Sequence, residues 1–584
     1  MVAGSVAEFD VVIRNGRVVD GTGSESRIAD VAIKGSTIVA VEPNLAGTGE
    51  REIDATGLLV TPGWVDHHTH YDGQVSWDKW LTPSSWHGVT TAVMGNCGVG
   101  FAPARPDSHE WLIQLMEGVE DIPGSALTEG LTWGWETYPE YLDKIASLPK
   151  VMDIGSQVTH GPLRAYVMEE RAGDDLAATE EDLQEMARLV AEGMEAGALG
   201  FSTSRTQIHR GSDGELVPGT DAPAHELMVL GEAMSRGGTG VFQFATDHPT
   251  LVTREWAWMR ELAEKTQRPV MVSMNQSLLA PDVWKEVLPL LESAHADGLE
   301  IYAQVAGRGI GVVLCLEGSA HPLMISPAFW DVANLPRAEL AVALNQPEMR
   351  ERLKSEPLLG AEVHPLAALG TQYDRMYLMA GDDIDYEPTQ ETSVASVAAA
   401  RGCHPIDVIV EELTATEGQG MLYLPIFNYA YGDLSMTHEM QQHDFTRMGL
   451  ADGGAHCGAI CDGGMPTFML THWTRDRSRG PRLDLEWVVY RQPKQAAEVY
   501  GLLDRGVLAP GYRADINVID YENLTFDRPS VAYDLPAGGR RLVQRAQGYK
   551  ATFCGGVQTV ADDEFTGELP GQLIRGAQSA PKGV

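Results

Sequence analysis

An α/β fold is predicted by three observations. Short apolar runs alternate with helical segments through the middle of the chain, both ends read as antiparallel β-structure, and the first of the central runs stops at a cluster of histidines and acids. Alternation of this kind gives a parallel sheet covered by helices. Eight strand candidates occur: Gly63 to His67, Thr90 to Met94, Asp153 to Val158, Ala198 to Ser202, Gly240 to Ala245, Pro269 to Met274, Glu300 to Val305 and Met448 to Ala451. Eight such units predict a (β/α)8 TIM barrel, with its chemistry at the C-terminal ends of the strands.

The intervening helices have their own signals. Thr179-Glu180-Glu181-Asp182 reads as a capped helix start, and Leu183, Met186, Ala187 and Val190 then recur at helical spacing. Leu251 to Thr266 and Pro281 to Ala296 give two more helices. The interval 307–431 is poor in strand signals and is expected to be an insertion over the barrel mouth. At the N-terminus, Val11-Val12-Ile13, Arg17-Val18-Val19, Ala32-Ile33-Lys34 and Thr37-Ile38-Val39 are separated by Asn15-Gly16 and Lys34-Gly35-Ser36, which predicts hairpins. Ala514 to Asp520 and Tyr549 to Gly556 repeat that pattern, so residues 1–61 and 501–584 are assigned to one small β-domain and 62–500 to the barrel. Only the tail after Gly567 reads as flexible, and no internal repeat or low-complexity tract is evident.

Composition narrows the function classes. Of 584 residues 43% are hydrophobic and 21% charged, the balance of a globular protein with a large core. The 82 acidic residues outnumber 43 basic ones, and a formal charge of −39 opposes nonspecific attraction to nucleic acid or an anionic membrane. No long apolar span or export leader is evident in the sequence, so a soluble, cytoplasmic protein is expected. The partner is a small molecule, and a second copy of the chain is left open. The six cysteines lack paired spacing and do not form a disulfide framework.

The candidate chemistry starts at Pro62-Gly63-Trp64-Val65-Asp66-His67-His68-Thr69-His70. On a strand, His68 and His70 face one way and His67 and Thr69 the other. Two imidazoles on one face can grip a divalent metal, although a strand end carrying surface histidines has the same spelling. Cys97, in Gly95-Asn96-Cys97-Gly98, follows the second strand and is either a thiolate donor or a small buried hydrophobe.

These stretches, with Asp10-Val11-Val12-Ile13-Arg14-Asn15-Gly16, Gly88-Val89-Thr90-Thr91, Gly197 to Thr203 and Arg505 to Asp515, resemble in this order the amidohydrolase superfamily, and more closely its N-acyl-D-amino-acid deacylase (D-aminoacylase) branch. The resemblance spans nearly the whole chain. It implies a metal-bearing barrel beside a small β-sandwich built from both chain ends. It also implies one or two zinc ions held by His68, His70, Cys97 and Asp452, the last in Ala451-Asp452-Gly453-Gly454 after the eighth strand. Asp452 would also take a proton from the attacking water and pass it to the leaving nitrogen, whereas the same Asp-Gly-Gly could simply cap a helix. Strands three to six contain no lysine to be carboxylated as a metal bridge, so Cys97 is the anion expected there.

The chain departs from that branch at strands five and six, which supply a metal-binding histidine each in the family pattern. Here strand five reads Val241-Phe242-Gln243-Phe244-Ala245-Thr246-Asp247-His248 and strand six Val270-Met271-Val272-Ser273-Met274-Asn275. Gln243 and His248 are the candidates for a substitute ligand or a supporting hydrogen bond. His160, Arg205 and Arg308, with Arg164, follow strands where they could hold substrate or a developing oxyanion, and His438, His443 and His456 flank Asp452. The expected function is a zinc-dependent hydrolase that cleaves the linear amide of an N-acyl amino acid by metal-activated water. A cyclic-amide hydrolase, a deaminase or a non-catalytic barrel scaffold are the rivals, because one fold hosts many chemistries.

Overall fold

The computed structural model describes residues 7–172, 176–360, 369–379, 381 and 384–582. A six-stranded parallel ladder runs from Thr446–Met448 through Ile301–Val305, Val270–Ser273, Val241–Thr246 and Gly200–Arg205 to Val158–Thr159. A three-stranded parallel ladder joins Trp64–Asp66, Val89–Met94 and Asp153–Ser156. The two ladders meet in the third strand, which is interrupted only at Gln157, where Gln157 N donates to Met94 O (3.1 Å). At the other edge, a parallel bridge between Thr69 and Gly453 ties the chain beyond the first strand to the chain beyond the eighth. These strands are buried along their whole length, which is why they read as unbroken apolar runs.

Between strands the helices obey their sequence signals. Glu180–Ala196 is capped by Thr179, whose hydroxyl accepts from Asp182 N while Asp182 accepts from Thr179 N (2.9 Å), and Leu183, Met186, Ala187 and Val190 are buried. Leu251–Glu255 leads into Trp256–Thr266, and Val283–Ala296 follows the sixth strand. No helix among the described residues is long and apolar enough to cross a membrane.

A nine-stranded sheet takes strands from both chain ends. Its seam is the antiparallel pairing of Leu59–Pro62 with Ile516–Ile519. One hairpin expectation fails here: Asn15-Gly16 is a bulge within the continuous strand Phe9–Val18, not a turn. The left-handed backbone of Asn15 (φ 58°) absorbs the extra residue while the strand keeps its partner Arg27–Lys34. The tail after Gly567 is not loose either. Gly571 N donates to Lys150 O (2.9 Å), Ile574 N to Ile154 O (2.8 Å), and Ile574 is buried, so the tail braces the third strand.

The interval 307–431 carries its own core. Ile310–Leu314, Tyr377–Leu378 and Leu422–Phe427 form a three-stranded antiparallel sheet, and helices Arg337–Leu344 and Pro405–Gly418 cover it through Leu340, Leu344, Ile409 and Leu413. Residues 361–368, 380 and 382–383 of this interval lie outside the described residues.

Candidate metal centre

The first strand ends at Asp66, so His68 and His70 lie beyond it and owe their direction to the neighbouring loops. Asp66 Oδ1 accepts from His68 N (3.1 Å), Thr69 N donates to Val93 O (3.1 Å), and His70 N donates to Gly453 O (2.8 Å). Asn96 closes the bracket, its Nδ2 donating to Thr69 O (3.1 Å) and Val93 O (2.9 Å). The stretch is thus stitched between the second and eighth strands with both imidazoles turned inward.

Cys97 comes from a loop tied to two further strands. Its N–H donates to Gln243 Oε1 (3.0 Å), and Gly98 N donates to Ser202 Oγ (3.0 Å). A Cβ on Gly98 would stand 2.6 Å from Ser204 N, so only glycine allows so close an approach. The result is convergence. His68 Nε2 lies 3.3 Å from Cys97 Sγ, and donor atoms of His68, His70 and Cys97 are all within 4.8 Å of one another. Asp452 Oδ1 lies 3.5 Å from His68 Nε2 and 3.8 Å from His70 Nε2.

Burial sets the charge states. It holds His68 down to about 4 and His70 well below the usual imidazole value, so both rings are neutral at pH 7 and carry a lone pair. It pushes the Cys97 thiol well above its ordinary value, with Glu120, Asp452 and Asp72 adding to the rise, and it raises Asp452 while His456 opposes. A divalent cation would reverse both trends, since a coordinated thiol loses its proton. Two imidazoles, a thiolate and a carboxylate make a donor set suited to zinc. Cys97 (φ 55°), Leu450 (62°), Asp452 (48°) and His456 (50°) all adopt left-handed backbone, strain of the kind that collects where geometry matters more than comfort.

Glu120 was missed from sequence. It ends the helix His109–Glu120 at 1% exposure, its Oε1 3.1 Å from His70 Nδ1 and its Oε2 3.9 Å from His456 Nε2 without a hydrogen-bond partner. Burial, with Asp452 and Asp72, pushes its carboxyl well above the usual range. The available signal was an acid four residues after buried Met116, on the apolar stripe of its helix. His209, in the loop after the fourth strand, also faces the cluster. Its Nδ1 lies 3.1 Å from Ser204 Oγ, and burial, then His456 and His68, lower its pKa to about 3.

The remaining candidates are placed elsewhere or engaged internally. Gln243 stands behind Cys97 and supports its loop. His248 is buried against Phe427, ring centroids 5.5 Å apart, and is not part of the three-donor group. His160 lies between Thr203 Oγ1 (2.8 Å) and Glu226 Oε1 (2.9 Å), and Arg164 shares Glu226. Arg205 pairs with Glu255 (3.2 Å) and donates to Thr220 O and Ala222 O. Arg308 donates to Asp462 (2.9 Å) and Cys461 O (2.8 Å) and lies 3.6 Å over the Tyr386 ring. His443 pairs with Glu292 and His438 lies beside Trp473, so of the histidines flanking Asp452 only His456 adjoins the cluster.

Fold and site together define a mixed α/β protein with a candidate metal centre at the carboxyl ends of its parallel strands. The amidohydrolase family model matches residues 51–560, and the chain belongs to that family. It is 25% identical to the D-aminoacylase of Alcaligenes xylosoxydans xylosoxydans over 97% of this chain and 97% of that one. It matches a D-aminoacylase structure described with a binuclear metal centre (TM-score 0.64, 23% identity, 97% of this chain, 100% of that one). It also matches the N-acyl-D-glutamate deacylase of Bordetella bronchiseptica complexed with zinc and a phosphonate inhibitor (TM-score 0.64, 22% identity, 97% and 99%).

Proposed function

We propose that the protein is a zinc-dependent deacylase that hydrolyses the linear amide of an N-acyl amino acid. The observation that carries this reading is the convergence of His68, His70 and Cys97 within 4.8 Å, with Asp452 Oδ1 3.5 Å from His68 Nε2. The relatives named above, a D-aminoacylase and an N-acyl-D-glutamate deacylase, support the substrate class and a preference for the D hand.

In this reading the parallel strands close into a (β/α)8 barrel over 62–500, with the insertion of 307–431 above its mouth. The sheet from residues 1–61 and 501–584 forms the small β-sandwich. His68, His70, Cys97 and Asp452 hold one zinc ion. For a second ion, strands Val241–Thr246 and Val270–Ser273 offer no histidine. Zinc bound here supplies a Lewis acid that polarises the amide carbonyl and acidifies water. Asp452 accepts the proton given up by the attacking water and returns it to the departing amine nitrogen. Burial keeps bulk water from competing for that proton. Glu120 braces His70 from behind. His209 and His456 face the same space and are placed to receive the substrate carboxylate, whereas Arg164, Arg205 and Arg308 are engaged by Glu226, Glu255 and Asp462.

Asp452→Asn tests the assignment. Turnover of N-acyl-D-amino acids should fall about 10²- to 10⁴-fold, with zinc, measured by elemental analysis, largely retained. Unchanged turnover rejects the proton-carrying role.

A further inference from the structure

We propose that Gln304 is the positioning residue that holds His68 in the tautomer able to bind metal, with His67 at the other end of its amide. This rests on the zinc-centre reading above.

Gln304 lies in the seventh strand, Ile301–Val305, fully buried, with one imidazole at each end of its amide. Its Oε1 is 2.8 Å from His68 Nδ1, and its Nε2 is 2.8 Å from His67 Nδ1. A carbonyl oxygen can only accept, so His68 must carry its proton on Nδ1. The lone pair is then on Nε2, the atom that lies 3.3 Å from Cys97 Sγ and 3.5 Å from Asp452 Oδ1. Turned over, the amide would present N–H to His68 Nδ1. The proton would then move to Nε2, and the ring could not coordinate.

His67 takes the other end of the amide. With its proton on Nε2, His67 Nδ1 accepts from the Gln304 Nε2–H. The ring has little room to turn away, since a Cβ on Gly449 would lie 2.5 Å from His67 Cε1. The adjacent histidines thus divide the work. One faces the centre, and its neighbour is joined to it through a glutamine from a strand more than 230 residues away in sequence.

The test is zinc affinity by chelator competition, with imidazole tautomers read by nitrogen-15 NMR on the zinc-free full chain. Gln304→Leu keeps the volume and removes both bonds. It should weaken zinc binding about 10- to 100-fold and let His68 populate both tautomers, with the melting curve still cooperative. Gln304→Glu retains an acceptor for His68 Nδ1–H, while His67 can move its proton to Nδ1 and donate. It should bind zinc nearly as tightly as the wild type. Unchanged affinity in the Leu variant, or equal losses in Leu and Glu, would overturn the proposal. A wild type that binds no zinc overturns the reading of the centre instead. In that event the NMR still decides on Gln304, because His68 fixed as Nδ1–H in the wild type and mixed in the Leu variant supports its control of the tautomer.

Discussion

The two ends of the parallel strands bury acids in opposite company. At the N-terminal end, Asp153 is 2% exposed and held by Arg505 Nη1 (2.9 Å) and Arg513 Nη2 (3.0 Å), with Thr91 also bonded to Arg505. At the C-terminal end, Glu120 and Asp452 are paired only with imidazoles among the described residues. Buried charge without a counter-charge is costly. The lower cluster is neutralised within the chain and joins the end sheet to the parallel strands. To stay ionised, the upper one needs a positive charge from outside, which is the electrostatic case for a metal.

That contrast can be broken from either end. The largest effect is expected at the mouth, where Cys97→Ala should abolish zinc retention and lower turnover on the order of 10³-fold or more. Elemental analysis beside the deacylase assay checks it, and full zinc in the variant would remove the thiol from the donor set. At the lower end, Arg505→Met leaves Asp153 half-paired and should cost about 3 kcal/mol of stability, read by urea unfolding, with zinc per folded chain unchanged. A loss of zinc there would mean that the two ends are coupled.

A subtler distinction is in the response to pH. Because Cys97 is held well above its ordinary value, zinc must displace its proton, while His68, at about 4, is already neutral above pH 6. Zinc affinity should therefore weaken as pH falls, about tenfold per unit between pH 8 and 6. Chelator competition across that range checks this, and a flat profile would mean that the thiol is not displaced.

The sequence made the strands legible where burial is complete on both faces, because a fully apolar run has one reading. Pro269 to Met274 is observed as Val270–Ser273, and Thr90 to Met94 as Val89–Met94. Misreadings occurred where local chemistry served a distant partner. Asn15-Gly16 looks like a turn and serves as a bulge, and the tail after Gly567 looks polar and loose but pairs with the third strand. The eighth strand, expected at Met448 to Ala451, is Thr446–Met448, which leaves Asp452 on a left-handed loop four residues past its end. His68 and His70 were singled out by their spacing and Cys97 by its loop and the family resemblance, and the three converge. Glu120, His209 and Gln304 were not, since each reaches the centre from an element whose own pattern has another explanation.

The left-handed backbone around the centre also bears on how the protein would respond to selection. At Cys97, Leu450, Asp452 and His456 a glycine would relieve about 1 kcal/mol of steric conflict each. A library selected for thermal endurance alone should drift toward glycine at these positions and become sturdier as it loses its chemistry. Leu450 is the exception, because its buried side chain packs with Ile310 and Met465 and its loss would cost more than the backbone relief returns.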